Sequence, residues 1–571
     1  MRPWLLGNTT VRSPFRLREG LVALSTSPLQ GCLRGREQEK AFRQLLGERG
    51  IVELGEDKSY SVGRKWRSAL SKLGFLCPKL VGRLAEYQDR LGPPDIITEN
   101  GWRLVRAESV AGWQECFLRA LAALFIPSAL ENGYDCRVFS PLRHILALMV
   151  ELEKMTGENR LGIVEMSLIV QLTSSETPIS DIARAVLDFR ERRDAAERKR
   201  EFDRDATNAA AAQYKMVAST FKDYADTNFR YLKATGLVQS KGRGIALVPE
   251  KRVLIERLIK DTRLPESDLD YLQMLCSGAI LPTDEKDGAL AVLYDLTNQL
   301  ERRGHLYDLG AKKLDTPADI AVVRHEIEDL LAQLNELEYA AQQAELGEEI
   351  SEFLGLLVNR RESKTLSNGN KIEIPKSEFP AYFEWTIWRA FLAINSLVNK
   401  PWEARCFKID QDFLPVGTAP GNGPDMIFEF EDMILVVEVT LTSSSRQEAA
   451  EGEPVRRHVA KYAEEHTATG KPVFGLFLAV NIDTNTANTF RLGEWYLRDD
   501  RKIDLHIVPM ALSDFRDILD ATRENVSAVL PKLKELLRDC RMYSNKDAPE
   551  WKQKVTELAQ GVAASLIRTN D

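Results

Sequence analysis

The stretch Gly421–Thr440, GNGPDMIFEFEDMILVVEVT, decides how the C-terminal part of this chain folds. Two apolar runs flank Glu431-Asp432. With those two residues as a tight turn, Phe430 pairs with Met433 and every pair of facing residues sums to 863. Asp425 then faces Glu438, with Cβ atoms about 5 Å apart. Two carboxylates so placed repel, and a hard divalent cation with oxygen ligands would relieve them. Glu-Asp is not a favoured hairpin turn. The competing reading has Asp425 capping a turn and Glu438 facing water. Glu438 lies within ILVVEVTL, however, a run expected to be buried, where an unpaired carboxylate is costly.

Two neighbouring segments carry more acid. Glu384 sits in FEWTIWRAFLAI, part of an apolar helix expected over Ala381–Val398. It either pairs with Arg389 or another cation, or reaches a metal site. The segment Ser443–Tyr462 carries Glu451, Glu453, Arg456, Arg457, His458 and Lys461. These residues could provide a further ligand, a proton-transfer group and phosphate contacts, or simply a solvated helix face. Strands are expected at Met426–Phe430, Met433–Thr440, Val473–Val480 and Leu505–Pro509, with a helix near Glu453–Glu465. The alternation predicts an α/β domain with a mixed sheet. The end, Val526–Arg568, reads as helical.

Upstream, residues 312–360 hold four Lys/Arg and eleven Asp/Glu, lack proline between Val323 and Leu357, and space their leucines as helices do. They predict a helical hairpin or coiled spacer that avoids nucleic acid, with Ser367–Gly369 marking a boundary. Residues 221–250 combine a helix stopped at Gly236 with two short strands about Lys241-Gly242-Arg243-Gly244, the pattern of a winged helix. Three helices are expected before it, at Leu142–Leu152, Leu161–Leu172 and Ser180–Arg193. Residues 1–130 read as short helices, among them Gly35–Leu46 and the basic Ser61–Leu73.

The chain has 571 residues and a mass of 64.5 kDa, with 44% hydrophobic and 28% charged residues. That predicts about four domains and excludes a disordered chain, a fibrous repeat and a small disulfide scaffold. No apolar run is long enough for a membrane span, and no secretory leader is expected. Seven cysteines without a CxxC fit a reducing cytoplasm. The net charge is −8, yet residues 1–75 hold fourteen Lys/Arg against seven Asp/Glu. A nucleic-acid contact is therefore sought at the N-terminal end.

Pro424-Asp425, Glu438 and Thr440 resemble the signature of PD-(D/E)xK nucleases, in which the two acids hold Mg2+ at a scissile phosphate. Thr440 stands where the signature has lysine. More of the chain, from about residue 4 to about residue 510, resembles the AlwI-like type IIS restriction endonucleases, a family that includes site-specific nicking members. The resemblance is carried by VRSP (Val11–Pro14), QEKAF (Gln38–Phe42), RYLKATGLV (Arg230–Val238) with VPEK after it, FEWTIW, GNGPDM, EVT and EPVRRH, in that order.

The resemblance implies catalytic acids at Glu384, Asp425, Glu438 and Glu451, with Asp425, Glu438 and Glu384 as metal ligands, and a role for His458. It implies Mg2+ and a nuclease domain related to that of FokI. Double-stranded DNA would be cut a few base pairs outside an asymmetric site. Cutting both strands implies a transient homodimer or a second subunit. The expected fold is multidomain α+β: a mainly helical, winged-helix-type DNA-recognition half, a helical linker and a C-terminal α/β PD-(D/E)xK nuclease domain with a mixed sheet. The expected parts are 1–135 and 136–265 for recognition, 266–368 as linker and 369–571 as nuclease. Arg12, Arg64, Lys65, Arg67, Arg230, Lys241 and Arg243 are the expected DNA contacts. The alternatives are a site-specific single-strand nicking enzyme (the large subunit of a heterodimer) and a DNA-binding regulator with an inactive nuclease domain.

Overall fold

The computed structural model describes residues 2–52, 61–443, 445–467, 470–521 and 529–568. The chain is a mixed α+β protein, mostly helical, and divides into two compact units, Met1–Leu330 and Leu331–Asp571. The division falls inside one helix, Pro317–Gln342. The acidic stretch is thus two helices, this one and Gly347–Asn359, separated by a 3-10 turn at Gln343–Leu346. Its residues are shared between the units and form no compact body of their own.

In the first unit, the helix Ala218–Lys233 ends where Gly236 takes φ +70, a conformation that suits glycine. Strands Val238–Ser240 and Gly244–Leu247 follow as an antiparallel pair, Val238 facing Leu247. The Lys241 N–H donates to the Gly244 carbonyl at 3.0 Å across the turn. A third strand, Leu161–Gly162, pairs with the far edge of Gly244–Leu247. Those two residues had read as helix; the helix begins only at Ile163, because Leu161 and Gly162 find strand partners more than eighty residues away. The first half of Pro317–Gln342 is tied into this unit by charge: Arg324 meets Glu115 at 2.9 Å and Glu328 meets Lys251 at 2.6 Å.

The second unit is built on a four-stranded sheet in the order His506–Ala511, Val473–Ala479, Ile434–Thr440, Met426–Glu429. The first three strands run parallel and the last is antiparallel. Parallel neighbours need a crossover, supplied between the second and third strands of the chain by helix Arg446–Glu465. That helix begins seven residues before Glu453, where the sequence pattern had started it, and runs through Pro454. Val473–Ala479 is buried along its whole length, as a central parallel strand must be.

Helix Phe379–Ala393 lies on the sheet with Phe391 stacked on Phe428, centroids 4.2 Å apart. The rest of Pro317–Gln342 packs here as well. Glu336 grips Arg405 through two bonds of 2.7 and 2.8 Å, and Tyr339 stacks on Phe413 at 4.3 Å. Ser367–Gly369 is the turn of a short hairpin, Ser363–Thr365 with Lys371–Glu373, and Gly369 has φ +81. The C-terminal helices are Val529–Met542 and Ala548–Arg568; the expected helical residues Val526–Ala528 lie outside the described residues, as does Ser444.

Candidate active site

The hairpin register is the one that the turn arithmetic predicts. Met426 faces Val437 and Glu429 faces Ile434, and the Phe430 N–H donates to the Met433 carbonyl at 2.9 Å across Glu431-Asp432. One residue beyond the last pair, Asp425 stands opposite Glu438. Its Oδ2 accepts the Val439 N–H at 2.8 Å, and its carbonyl accepts the Cys406 N–H at 3.1 Å. Asp425 therefore extends the hairpin with its side chain and is held in place. Glu438 is 7% exposed, so the solvent-facing reading of this acid does not hold.

Glu384 comes from the Phe379–Ala393 helix and is 5% exposed. Arg389 does not pair with it: that guanidinium donates to Gln343 at 2.7 Å and meets Glu349 at 2.9 Å. Glu384 Oε2 instead accepts the Ala419 N–H at 2.7 Å. On helix Arg446–Glu465, Glu451 lies near the Thr440 hydroxyl, which favours its charged form. His458, on the same helix, places Nδ1 at 2.6 Å from Glu438 Oε1. Its Nε2 is buried without a hydrogen-bond partner among the described residues.

The electrostatics follow from burial and mutual repulsion. Burial, then the charge of Asp425, pushes Glu384 well above the usual carboxylate range. Burial, then Glu438, does the same to Asp425. Glu438 is pushed up to about 8 by burial and by Glu451, and Glu451 itself is raised by burial. His458 is lowered, first by burial and then by Arg457, which favours a neutral imidazole. Cys406 lies near the same acids and rises to about 12, chiefly by burial.

Among the described residues no group of three or more His, Cys, Asp or Glu side chains is placed to hold a metal ion. The donor chemistry nevertheless fits a hard cation. Oxygen ligands converge at the end of two strands, their charges are unbalanced, and Mg2+ takes only one or two protein carboxylates while keeping several waters.

The expected DNA contacts separate into two groups. Arg64, Lys65, Lys241 and Arg243 are exposed, the last two on the hairpin turn of the first unit. Arg12 is exposed and lies 4.0 Å from Asp223. Arg67 turns inward, donating to the Leu33 carbonyl at 2.8 Å and to Glu39 at 3.0 Å, so its charge is spent holding two helices together. Arg230 is half-buried and bonded to Asp226 at 2.8 Å.

Several supporting groups escaped the sequence reading. Gln447 is fully buried; its amide donates to the Thr442 carbonyl at 2.5 Å and the Asn481 carbonyl at 2.9 Å and accepts the Asp483 N–H at 2.8 Å, tying the loop after Thr440 to the loop after Ala479. Arg360 donates to the Leu441 carbonyl at 2.6 Å. Nothing local in the sequence signals either, since both act across long chain separations.

The chain was also compared with known proteins. No curated protein matches it. Among solved structures, it is similar to the small subunit (R.BspD6I2) of the heterodimeric restriction endonuclease R.BspD6I, at 22% identity over 37% of this chain and 98% of that one, with a TM-score of 0.28. The family model for the AlwI restriction endonuclease matches residues 71–518. VRSP and QEKAF lie outside that span, whereas RYLKATGLV and all five candidate catalytic residues lie within it. By this match over most of its length, the chain belongs to the AlwI restriction endonuclease family.

Proposed function

We propose that this type II site-specific deoxyribonuclease is a type IIS restriction endonuclease. It would hydrolyse DNA phosphodiester bonds with Mg2+, at a fixed short distance from an asymmetric site. The observation that carries the reading is the buried pair Asp425 and Glu438, held opposite each other at the end of a hairpin and joined by Glu384. This placement, with Glu451 and His458 on the following helix, supports a PD-(D/E)xK nuclease fold for the C-terminal unit.

Asp425 and Glu438 would hold the ion. When bound, Mg2+ supplies charge neutralisation at the scissile phosphate and lowers the pKa of an attacking water. Glu384 and Glu451 would be further ligands or would orient that water. His458, neutral and 2.6 Å from Glu438, fixes the orientation of that carboxylate. Thr440 does not supply the charge of the missing lysine; its hydroxyl favours the charged form of Glu451. Arg457 is the cation whose field reaches both Glu438 and His458.

In the first unit, a three-stranded sheet with an exposed Lys-Gly-Arg-Gly turn behind helix Ala218–Lys233 supports a winged-helix reading. Residues 1–135 and 136–265 would recognise DNA, 266–368 would connect, and 369–571 would cut. Cutting both strands would require a transient homodimer or a second subunit.

The test is a strand-resolved digest of plasmid DNA. The wild type with Mg2+ should give ends at one constant offset from one motif, and Asp425→Ala should lose at least about a thousand-fold in rate. Cutting without divalent ions, or equal cutting by Asp425→Ala, would overturn the proposal. Ends on one strand only would identify a nicking enzyme.

A further inference from the structure

The segment Trp4–Arg12 is fastened to helix Ala218–Lys233 and to residues 171–173 by buried groups. Trp4 and Leu6 are fully buried. The Trp4 N–H donates to the Gln171 carbonyl at 3.1 Å, and its indole N–H donates to the Thr173 carbonyl at 2.9 Å. Asn228, fully buried on the helix, accepts the Leu6 N–H at 2.7 Å and donates to the Trp4 carbonyl at 3.3 Å. The Tyr231 hydroxyl donates to the Val11 carbonyl at 3.3 Å. Gly7 has no room for a side chain, since any Cβ would overlap the Tyr231 ring. Burying an asparagine and a tyrosine is costly unless their bonds are made, so the path of this segment is strongly specified.

That path ends at Arg12, on the solvent side of the same helix. Its guanidinium lies 4.0 Å from Asp223, and the two side chains are 64% and 54% exposed. An ion pair this exposed contributes little to stability. The helix surface around it carries Lys222, Asp226 and Arg230, so the face is charged and of mixed sign. A face that only neutralised phosphates would be uniformly basic. Guanidinium paired with carboxylate is instead the chemistry that reads base edges: arginine donates two bonds to guanine O6 and N7, and a carboxylate accepts from cytosine N4.

The geometry points to Arg12 as a base-reading residue, held beside the Ala218–Lys233 helix by the fastened segment with the Asp223 carboxylate 4.0 Å away, that selects a guanine in the recognition site. The inference rests on the reading of the first unit as the DNA-recognition part. A duplex is the occupant because the family acts on DNA and because residues 1–75 carry the chain's basic excess.

The experiment digests a library of duplexes randomised over the recognition site with the full-length wild type, Arg12→Ala, Arg12→Lys and Asp223→Asn, and sequences the ends. The wild type should give one motif. Arg12→Ala should lose preference at one guanine by at least about ten-fold while the other positions keep theirs. Arg12→Lys should retain part of that preference, and Asp223→Asn should relax the same position by a smaller factor. An equal loss of cutting across all sequences would mark Arg12 as a phosphate contact and overturn the inference. An unchanged motif would make the pair a surface ion pair only, and would overturn it too. Both outcomes leave the proposed function standing; no motif from the wild type would remove that reading and this inference together.

Discussion

Glu438→Gln should stabilise the metal-free protein and silence it. Glu438 is buried and its pKa stands at about 8, above the usual carboxylate value of about 4.5. A carboxyl raised on folding stabilises most below its unfolded pKa, and that stability is lost as pH rises toward the folded pKa. At 1.36 kcal/mol per unit, holding this group folded costs about 3 kcal/mol at pH 7 and under about 1 kcal/mol at pH 5. Glutamine keeps the shape, carries no charge and can still hydrogen-bond His458 Nδ1, so it escapes the cost. For a unit of this size that is roughly 5–10 °C in Tm at pH 7. Differential scanning calorimetry in EDTA at pH 5, 6, 7 and 8 reads it directly. The Tm gap between variant and wild type should open with pH, and added Mg2+ should stabilise the wild type alone. A variant that melts with or below the wild type at every pH would refute the reasoning.

Thr440→Val keeps the shape and removes the hydroxyl that favours a charged Glu451; single-turnover cleavage should slow about 10–100-fold with duplex affinity unchanged, and an unchanged rate would refute the role. Lys241→Ala, on the exposed turn, should reduce the slope of log Kd against log salt by about 1 and weaken all sequences alike, as fluorescence anisotropy at several salt concentrations can show. Gly475→Val should destabilise the second unit by about 1–3 kcal/mol, because even a Cβ there comes within 2.8 Å of Val459 and 2.9 Å of Ile507; a calorimetric Tm equal to that of the wild type would contradict the tight helix–sheet contact.

The acid pair was legible in the sequence because an antiparallel hairpin reduces to arithmetic once its turn is chosen: Asp425 and Glu438 follow from Glu431-Asp432. Glu384 stood out as an acid in an apolar helix. What the residues left open was the partner. Arg389 was the natural one by spacing, and only the tertiary packing of Gln343 and Glu349 takes it away. Arg67 shows the same limit, since a helix that looks basic in sequence can turn one arginine inward to Glu39. In the acidic stretch, charge alone does not reveal that Glu336 and Glu349 each grip a distant arginine. The strand at Leu161–Gly162 is two residues long, too short for any periodicity to reveal. The extension of helix Arg446–Glu465 through Pro454 was missed because proline ordinarily marks a first turn.

The central claim is that Asp425 and Glu438 trap a divalent ion together. Anomalous diffraction from crystals of the protein grown with Mn2+ and an uncut duplex tests it most directly. The account predicts a peak between these two carboxylates, within about 2.5 Å of an oxygen of each and next to a phosphate, and no such peak in Asp425→Ala. A manganese peak elsewhere in the second unit, with Asp425 and Glu438 left bound to Val439 and His458 alone, would contradict it.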